Sequence, residues 1–174
     1  VVLDLFAGTG ALGLEAFSRG AHSVTFVDNS RLAIDLISKN ILTCFAAGAS
    51  LAASPQSSSE STRNMPDTAC WTVIQHDLRK GLPLKIFSKK NLSCFDLVFL
   101  DPPYSQGLCQ QVLQDWDANN LLSASGLLIA EERANEKLET RFSTLDLIDN
   151  RVYGDTAFWI FARKHSDIHR ASTD

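Results

Sequence analysis

The chain has 174 residues, 45% of them apolar, and 20 acidic against 16 basic side chains leave a formal charge of −4. That is length and apolar material for one core, and no stretch reaches the roughly 18–20 consecutive apolar residues of a membrane helix. The negative balance argues against strong non-specific binding to phosphate backbones, although a local basic patch weighs more than the total.

In chain order, the apolar run over residues 1–6 predicts a first strand. Gly8, Gly10 and Gly13 follow it in G-x-G-x-x-G spacing, the pattern of a tight turn that opens a helix and lets a nucleotide-like ligand approach the backbone. That helix is expected over 11–19, with Gly20 as its stop. Asp4 lies inside the strand, four residues before Gly8. A carboxylate there suits a ligand with a cationic end and would repel a pyrophosphate. Residues 23–27 predict a second strand ending at Asp28, about 20 residues beyond the first glycine, where the fingerprint asks for an acid. Asn29 or Ser30 caps the next helix, whose apolar positions are Leu32, Ile34, Leu36, Ile37 and Ile41. From 46 to 69 the chain turns to alanine, serine and proline with little to bury, and a disordered surface insertion is expected.

A third strand over 71–76 ends at Asp77, and 79–90 is a short helix or loop broken by Gly81 and Pro83. The fourth strand, 95–100, is almost continuously apolar, as expected of a parallel strand covered on both faces. Asp101-Pro102-Pro103-Tyr104 follows it directly. The two prolines cannot donate to a ladder and hold the chain extended, so they stop the strand at the edge where open α/β sheets bind ligands. A carboxylate and a bare carbonyl make two acceptors for one amino group, and Tyr104 offers a face on which a flat ring can stack. Beyond it come a helix over 106–116, a fifth strand over 126–130, Glu131 and Glu132 as caps of a following helix rather than site residues, and a hairpin of 145–152 with 157–162. The residues after Lys164 read as a polar tail. Cys44, Cys70, Cys94 and Cys109 contain no C-x-x-C pair, and His22, His76, His165 and His169 are not spaced as ligands, so no metal is expected. The alternation predicts a mostly parallel sheet with helices on both faces and right-handed crossovers.

Asp4-Leu5-Phe6-Ala7-Gly8-Thr9-Gly10-Ala11-Leu12-Gly13, then Asp101-Pro102-Pro103-Tyr104, then Arg151-Val152-Tyr153-Gly154-Asp155-Thr156 resemble S-adenosylmethionine-dependent methyltransferases of exocyclic amino groups on nucleobases. Within these the chain is most similar to the bacterial family that methylates a guanine N2 in small-subunit (16S) ribosomal RNA. The resemblance covers most of the chain apart from the insertion and the tail. It implies a Rossmann-like class I methyltransferase fold, an α/β domain over 1–164 with a seven-stranded, mostly parallel sheet and a C-terminal antiparallel hairpin strand, followed by the tail 165–174. It also implies a basic N-terminal segment ahead of Val1 that helps to hold RNA. S-adenosylmethionine is the implied cofactor, with Phe6, Ala7, Gly8 and Gly10 around its methionine part and Asp4 near its ammonium. Asp28 then takes the ribose hydroxyls beside Asn29, and Asp77 with the Leu78 backbone takes the adenine. Asp101, Pro102, Pro103 and Tyr104 carry the transfer. The implied partner is ribosomal RNA or the small ribosomal subunit, with neither membrane nor metal, for a monomer that is cytoplasmic, or organellar in a eukaryote. Three other readings stand beside this one: a DNA adenine-N6 or cytosine-N4 methyltransferase, an NAD-dependent oxidoreductase using Gly8 to Gly13 and Asp28, and an inactive cofactor-binding module.

Overall fold

A computed structural model of the protein describes residues 1–51 and 70–164; the expected tail and residues 52–69 of the expected insertion lie outside these. The chain runs β1 (Val2–Leu5), α1 (Ala11–Ser18), β2 (Ser23–Asp28), α2 (Arg31–Leu51), β3 (Cys70–Gln75), a 3-10 turn (Leu78–Lys80), α3 (Leu84–Lys89), β4 (Phe95–Leu100), α4 (Leu108–Asn119), β5 (Leu122–Arg133), β6 (Leu145–Tyr153) and β7 (Thr156–Arg163). The strands form one sheet in the order β3-β2-β1-β4-β5-β7-β6. β1, β2, β3, β4 and β5 pair in parallel, and β7 enters antiparallel between β5 and β6. This is the Rossmann-like, class I methyltransferase arrangement, and the order reverses at β1, whose neighbours are β2 on one side and β4 on the other. A reversal of that kind opens a crevice at the carboxyl ends of the strands.

Period-two alternation in β1 divides the core. Leu3 and Leu5 face a cluster under α3 and α4 that includes Phe87, Phe95, Val112, Leu113, Trp116 and Phe161. Val2 faces a smaller cluster with Phe17, Val24, Phe26, Ile37 and Ile41 under α1 and α2. Each such fully buried side chain stabilises the fold by roughly 1.5–3 kcal/mol, so burial on both faces holds the strand tips in place. Asp4 falls on the second face, 1% exposed, and meets α1 there. Gly13 lets the helix come this close, since a Cβ on it would lie 2.2 Å from Cε1 of Phe26.

Most boundaries fall within a residue or so of those expected, and three elements depart further. α2 continues to Leu51, because the alanines that suggested an insertion from 46 are also strong helix formers. α4 starts at Leu108 after Gly107 at φ 66. β5 runs from Leu122 to Arg133 rather than over 126–130, since pairing with β7 carries its ladder on through Arg133.

Candidate functional site

β1 stops where Phe6 turns to φ 61 and Gly8 to φ 56, a left-handed conformation that costs glycine little and a bulky residue more. The strained Phe6 therefore stands at the mouth of the crevice. Ala7 N–H donates to Val27 O, and Gly8 N–H donates to Asp28 Oδ2 at 2.9 Å. Ser30 N–H donates to the other oxygen, Asp28 Oδ1, at 2.8 Å. Ser30 Oγ accepts from Ala33 N–H, so Ser30 caps α2 and Asn29 is left beside the crevice. The crevice is a cavity of about 540 Å³ lined by Phe6, Gly8, Asp28, Asn29, Asp77, Arg79, Asp101, Pro102, Pro103, Tyr104, Gln106 and Leu108.

Nine of the thirteen residues singled out from the sequence therefore face one space. The other four are packed behind it: Ala7, Gly10 and Leu78 are buried, and Asp4 is nearly inaccessible. Asp4 Oδ2 accepts from Gly13 N–H at 2.9 Å. Burial pushes its carboxyl up to about 7, against the pull of that hydrogen bond and with help from the charges of Asp101 and Asp28. Asp77 is held differently. Its oxygens accept from Arg79 Nε at 2.8 Å, Arg79 Nη2 at 3.0 Å and Arg79 N at 3.1 Å, and these bonds keep its carboxyl below the usual range. Arg79, Gln106 and Leu108 were not anticipated. Arg79, two residues past Asp77, carried a weak signal as a charge partner; Gln106 and Leu108 carried none.

Burial pushes the Asp101 carboxyl up to about 6, with Glu131 and then Glu132 adding repulsion. Tyr104 Oη donates to Glu131 Oε1 at 2.5 Å, and the Arg133 guanidinium lies over its ring, 5.7 Å from the centroid. Glu132 is buried and accepts from Arg133 N–H at 2.9 Å and more weakly from Ser105 N–H at 3.4 Å. The expectation that Glu131 and Glu132 cap a helix is thus corrected: both lie within β5 and reach back to the loop after β4. A second cavity of about 300 Å³ adjoins at Asp101, lined by Leu12, Phe99, Leu100, Asp101, Ile129, Glu131, Arg151, Tyr153, Phe158 and Ile160. Cys109 is buried, which pushes its thiol up to about 12 and leaves it without nucleophilic character. Among the described residues no group of His, Cys, Asp and Glu is placed to hold a metal, and no helix is long and apolar enough to cross a membrane.

Known proteins resemble this chain along most of its length. "Ribosomal RNA small subunit methyltransferase D" of Haemophilus influenzae is 29% identical over 158 residues, covering 87% of this chain and 69% of the relative. The Escherichia coli protein of the same name is 27% identical over 162 residues, covering 93% and 68%. A solved structure of a conserved hypothetical protein of Streptococcus pyogenes superposes with a TM-score of 0.68 at 27% identity, covering 94% of this chain and 85% of that one. The profile of the family described as conserved hypothetical protein 95 matches residues 1–70 and 60–162. Its two matches take in β1 with its glycine turn, the strand before Asp101 and the hairpin of β6 and β7, and on that extent the chain belongs to the conserved hypothetical protein 95 family.

Proposed function

We propose that the protein transfers a methyl group from S-adenosylmethionine to the exocyclic N2 amino group of a guanine in small-subunit ribosomal RNA. The observation that carries this reading is the position of Asp101 to Tyr104, which line the larger cavity together with Asp28, Asp101 being shared with the smaller one. The relatives named small-subunit ribosomal RNA methyltransferases, matched along most of this chain, support the same class of acceptor.

The larger cavity suits the cofactor by its donor and acceptor set. A carboxylate accepts about four hydrogen bonds, and Asp28 uses two on Gly8 and Ser30, so two remain for a ribose diol, with Asn29 beside it. Asp77 has one position left after its bonds to Arg79, enough for one N–H of an adenine amino group next to the Leu78 backbone. Phe6 and Gly8 border the space for the methionine part, Ala7 and Gly10 shape the turn behind them, and the buried Asp4 supplies negative potential for its ammonium. When bound, the cofactor supplies a methyl already activated by its sulfonium, so the protein's task is alignment and polarisation of the acceptor.

At the acceptor, a guanine N2 is a poor nucleophile because its lone pair is delocalised into the ring. The Asp101 carboxylate and the Pro102 carbonyl accept its two N–H bonds, which favours a pyramidal nitrogen with the lone pair free to attack. Positive charge grows on nitrogen as the C–N bond forms and the C–S bond breaks, and Asp101 stabilises that charge more than it does the ground state. Asp101 then takes the proton that N2 sheds. Pro103 keeps the loop extended, and Tyr104, with Arg133 over one face of its ring, stacks its other face on a base drawn out of the RNA. The partner is the small subunit or its RNA, the working form is a monomer, and the compartment is the one where that RNA is found: cytoplasm, or an organelle in a eukaryote.

Incubating the protein and methyl-labelled cofactor with small subunits, naked ribosomal RNA and duplex DNA tests the acceptor. Label is expected in RNA as N2-methylguanosine; label in DNA alone would assign the site to adenine N6 or cytosine N4 instead. Asp28→Ala is expected to weaken S-adenosylhomocysteine binding by roughly 1–3 kcal/mol, the worth of charge-assisted hydrogen bonds. Calorimetry that finds an unchanged dissociation constant would remove the ribose from Asp28, and tighter binding of NADH than of S-adenosylhomocysteine would point to hydride transfer.

A further inference from the structure

The cofactor accounts for the larger cavity and leaves the smaller one, across Asp101, to be explained. Its lining is apolar from Phe99, Phe158 and Ile160 and charged from Asp101, Glu131 and Arg151, the carboxylates on the β4–β5 side and the guanidinium on the β6 side. At about 300 Å³ it lies at the lower end of the range for small-molecule sites.

Strand pairing sets that order. Glu131 on β5 pairs with Phe158 on β7, and Phe158 pairs with Arg151 on β6. Directly paired residues share a sheet face, so carboxylate, ring and guanidinium stand in a row, with the two charged ends separated by two interstrand steps, roughly 10 Å. Leu100 pairs with Ala130, which sets Asp101 and Glu131, each one residue further on, side by side. Tyr153 closes the far wall, its ring meeting that of Phe158 edge-on at 6.1 Å between centroids. The polar groups retain capacity for a ligand. Glu131 spends Oε1 on Tyr104 out of about four acceptor positions, and Arg151 bonds Asp149 through Nε at 2.7 Å and also Tyr153, out of five guanidinium donors.

A flat pocket with two carboxylates at one end and a guanidinium at the other selects among bases by polarity. Guanine presents adjacent donors, N1–H and N2–H₂, followed by the acceptors O6 and N7, and arginine on O6 and N7 is the commonest specific contact to it. Adenine would turn its N6 amino donor toward one end and leave N1, an acceptor, against a carboxylate. We propose that this cavity receives the target guanine with N2 at Asp101, N1–H donated to Glu131 and O6 facing Arg151, so that Glu131 and Arg151 decide which base is methylated. The proposal rests on the guanine-N2 reading above and adds to it the residues that recognise the base.

The test uses small subunits reconstituted with RNA in which the mapped target guanosine is retained or replaced, by splinted ligation, with 2-aminopurine. That base keeps the N2 amino group but has neither N1–H nor O6. The wild-type protein is expected to favour guanosine in kcat/KM by at least about 100-fold, as sites built around a substrate hydrogen bond do. In Glu131→Gln the amide can donate to N1 of 2-aminopurine, so the preference is expected to narrow by roughly tenfold or more, the value of one specific base contact. S-adenosylhomocysteine affinity should be unchanged in this variant, which also shows that it is folded. Tyr104→Phe separates the effect from the Tyr104 hydroxyl, because it should slow both acceptors alike and leave the ratio as it was. Arg151→Met, at a side chain 59% exposed and thus tolerant of change, should narrow the same ratio through O6. An undiminished guanosine preference in both Glu131→Gln and Arg151→Met overturns the proposal, as does Tyr104→Phe reproducing the Glu131→Gln ratio. Failure of the wild-type protein to methylate the guanosine particle refutes the guanine-N2 reading instead.

Discussion

Replacing Asp101 with asparagine is expected to lower kcat by roughly 10²–10³, the usual loss when one preorganised group facing transition-state charge is removed. The amide keeps the size of the carboxylate and one acceptor oxygen, so the loop of Pro102 and Pro103 should stay where it is. What it loses is the negative charge, and that charge matters most once the nitrogen has begun to carry a positive one. Affinity for S-adenosylhomocysteine should change little, because Asp28 and Asp77 hold the other end of that cavity. The pH profile gives a second reading of the same group. Burial, with Glu131 and Glu132 nearby, pushes Asp101 up to about 6. The protonated acid has neither the charge that stabilises the developing cation nor a free position for the shed proton, so wild-type activity should fall as pH drops through about 6 and level off above it. Asp101→Asn should lack that limb. Single-turnover rates from pH 5 to 8 decide this, and a variant that retains both the rate and the limb would place the acceptor's polarisation elsewhere.

Asp4→Asn is expected to change stability in a manner that depends on pH. Burial pushes the folded-state carboxyl up to about 7 from an ordinary value of 3.8, so folding holds the proton more tightly than the unfolded chain does. The sign follows from linkage: below about pH 3.8 the group contributes no difference, and between 3.8 and 7 the folded state loses ground as the unfolded chain releases its proton first. Above 7 the accumulated penalty is on the order of 4 kcal/mol. Asparagine does not titrate and can still accept from Gly13 N–H. The ligand-free variant should therefore match the wild type near pH 4 and exceed it in stability at pH 8, by up to that order. Cofactor binding should move the other way, because an ammonium lowers the cost of an ionised Asp4 and the variant has no charge to offer. Urea titrations at the two pH values, with and without S-adenosylhomocysteine, measure both effects. Equal stability differences at pH 4 and pH 8 would show that Asp4 is already ionised in the folded protein. Such an arrangement trades stability for function, as sites that bury an uncompensated charge generally do.

Much of the architecture could be read from the chain because its signals are local. An apolar run followed by Gly8 and Gly10 fixes torsions over a few residues, and Pro102 and Pro103 end β4 wherever that strand lies in the sheet. The convergence of Asp28, Asp77 and Asp101 followed from one further rule, that parallel strands bring their carboxyl ends to a common edge. Reading Glu131 and Glu132 as helix caps failed for an equally physical reason. A strand's end depends on its neighbour, and β5 continues to Arg133 only because β7 pairs with it there. The partner of Asp77 lay two residues away in sequence, yet which of its acceptor positions remain free became visible only with the side chains in place.

The sequence by itself determined the class of fold, the glycine turn after β1 and the proline-bounded loop after β4, because each depends on torsion and periodicity within a short stretch. Only the tertiary structure decided that Glu131 and Arg151 face each other across Phe158 beside Asp101. That placement arises from pairing among β5, β7 and β6, and the register of strands is chosen by burial over the whole sheet rather than by any segment of it.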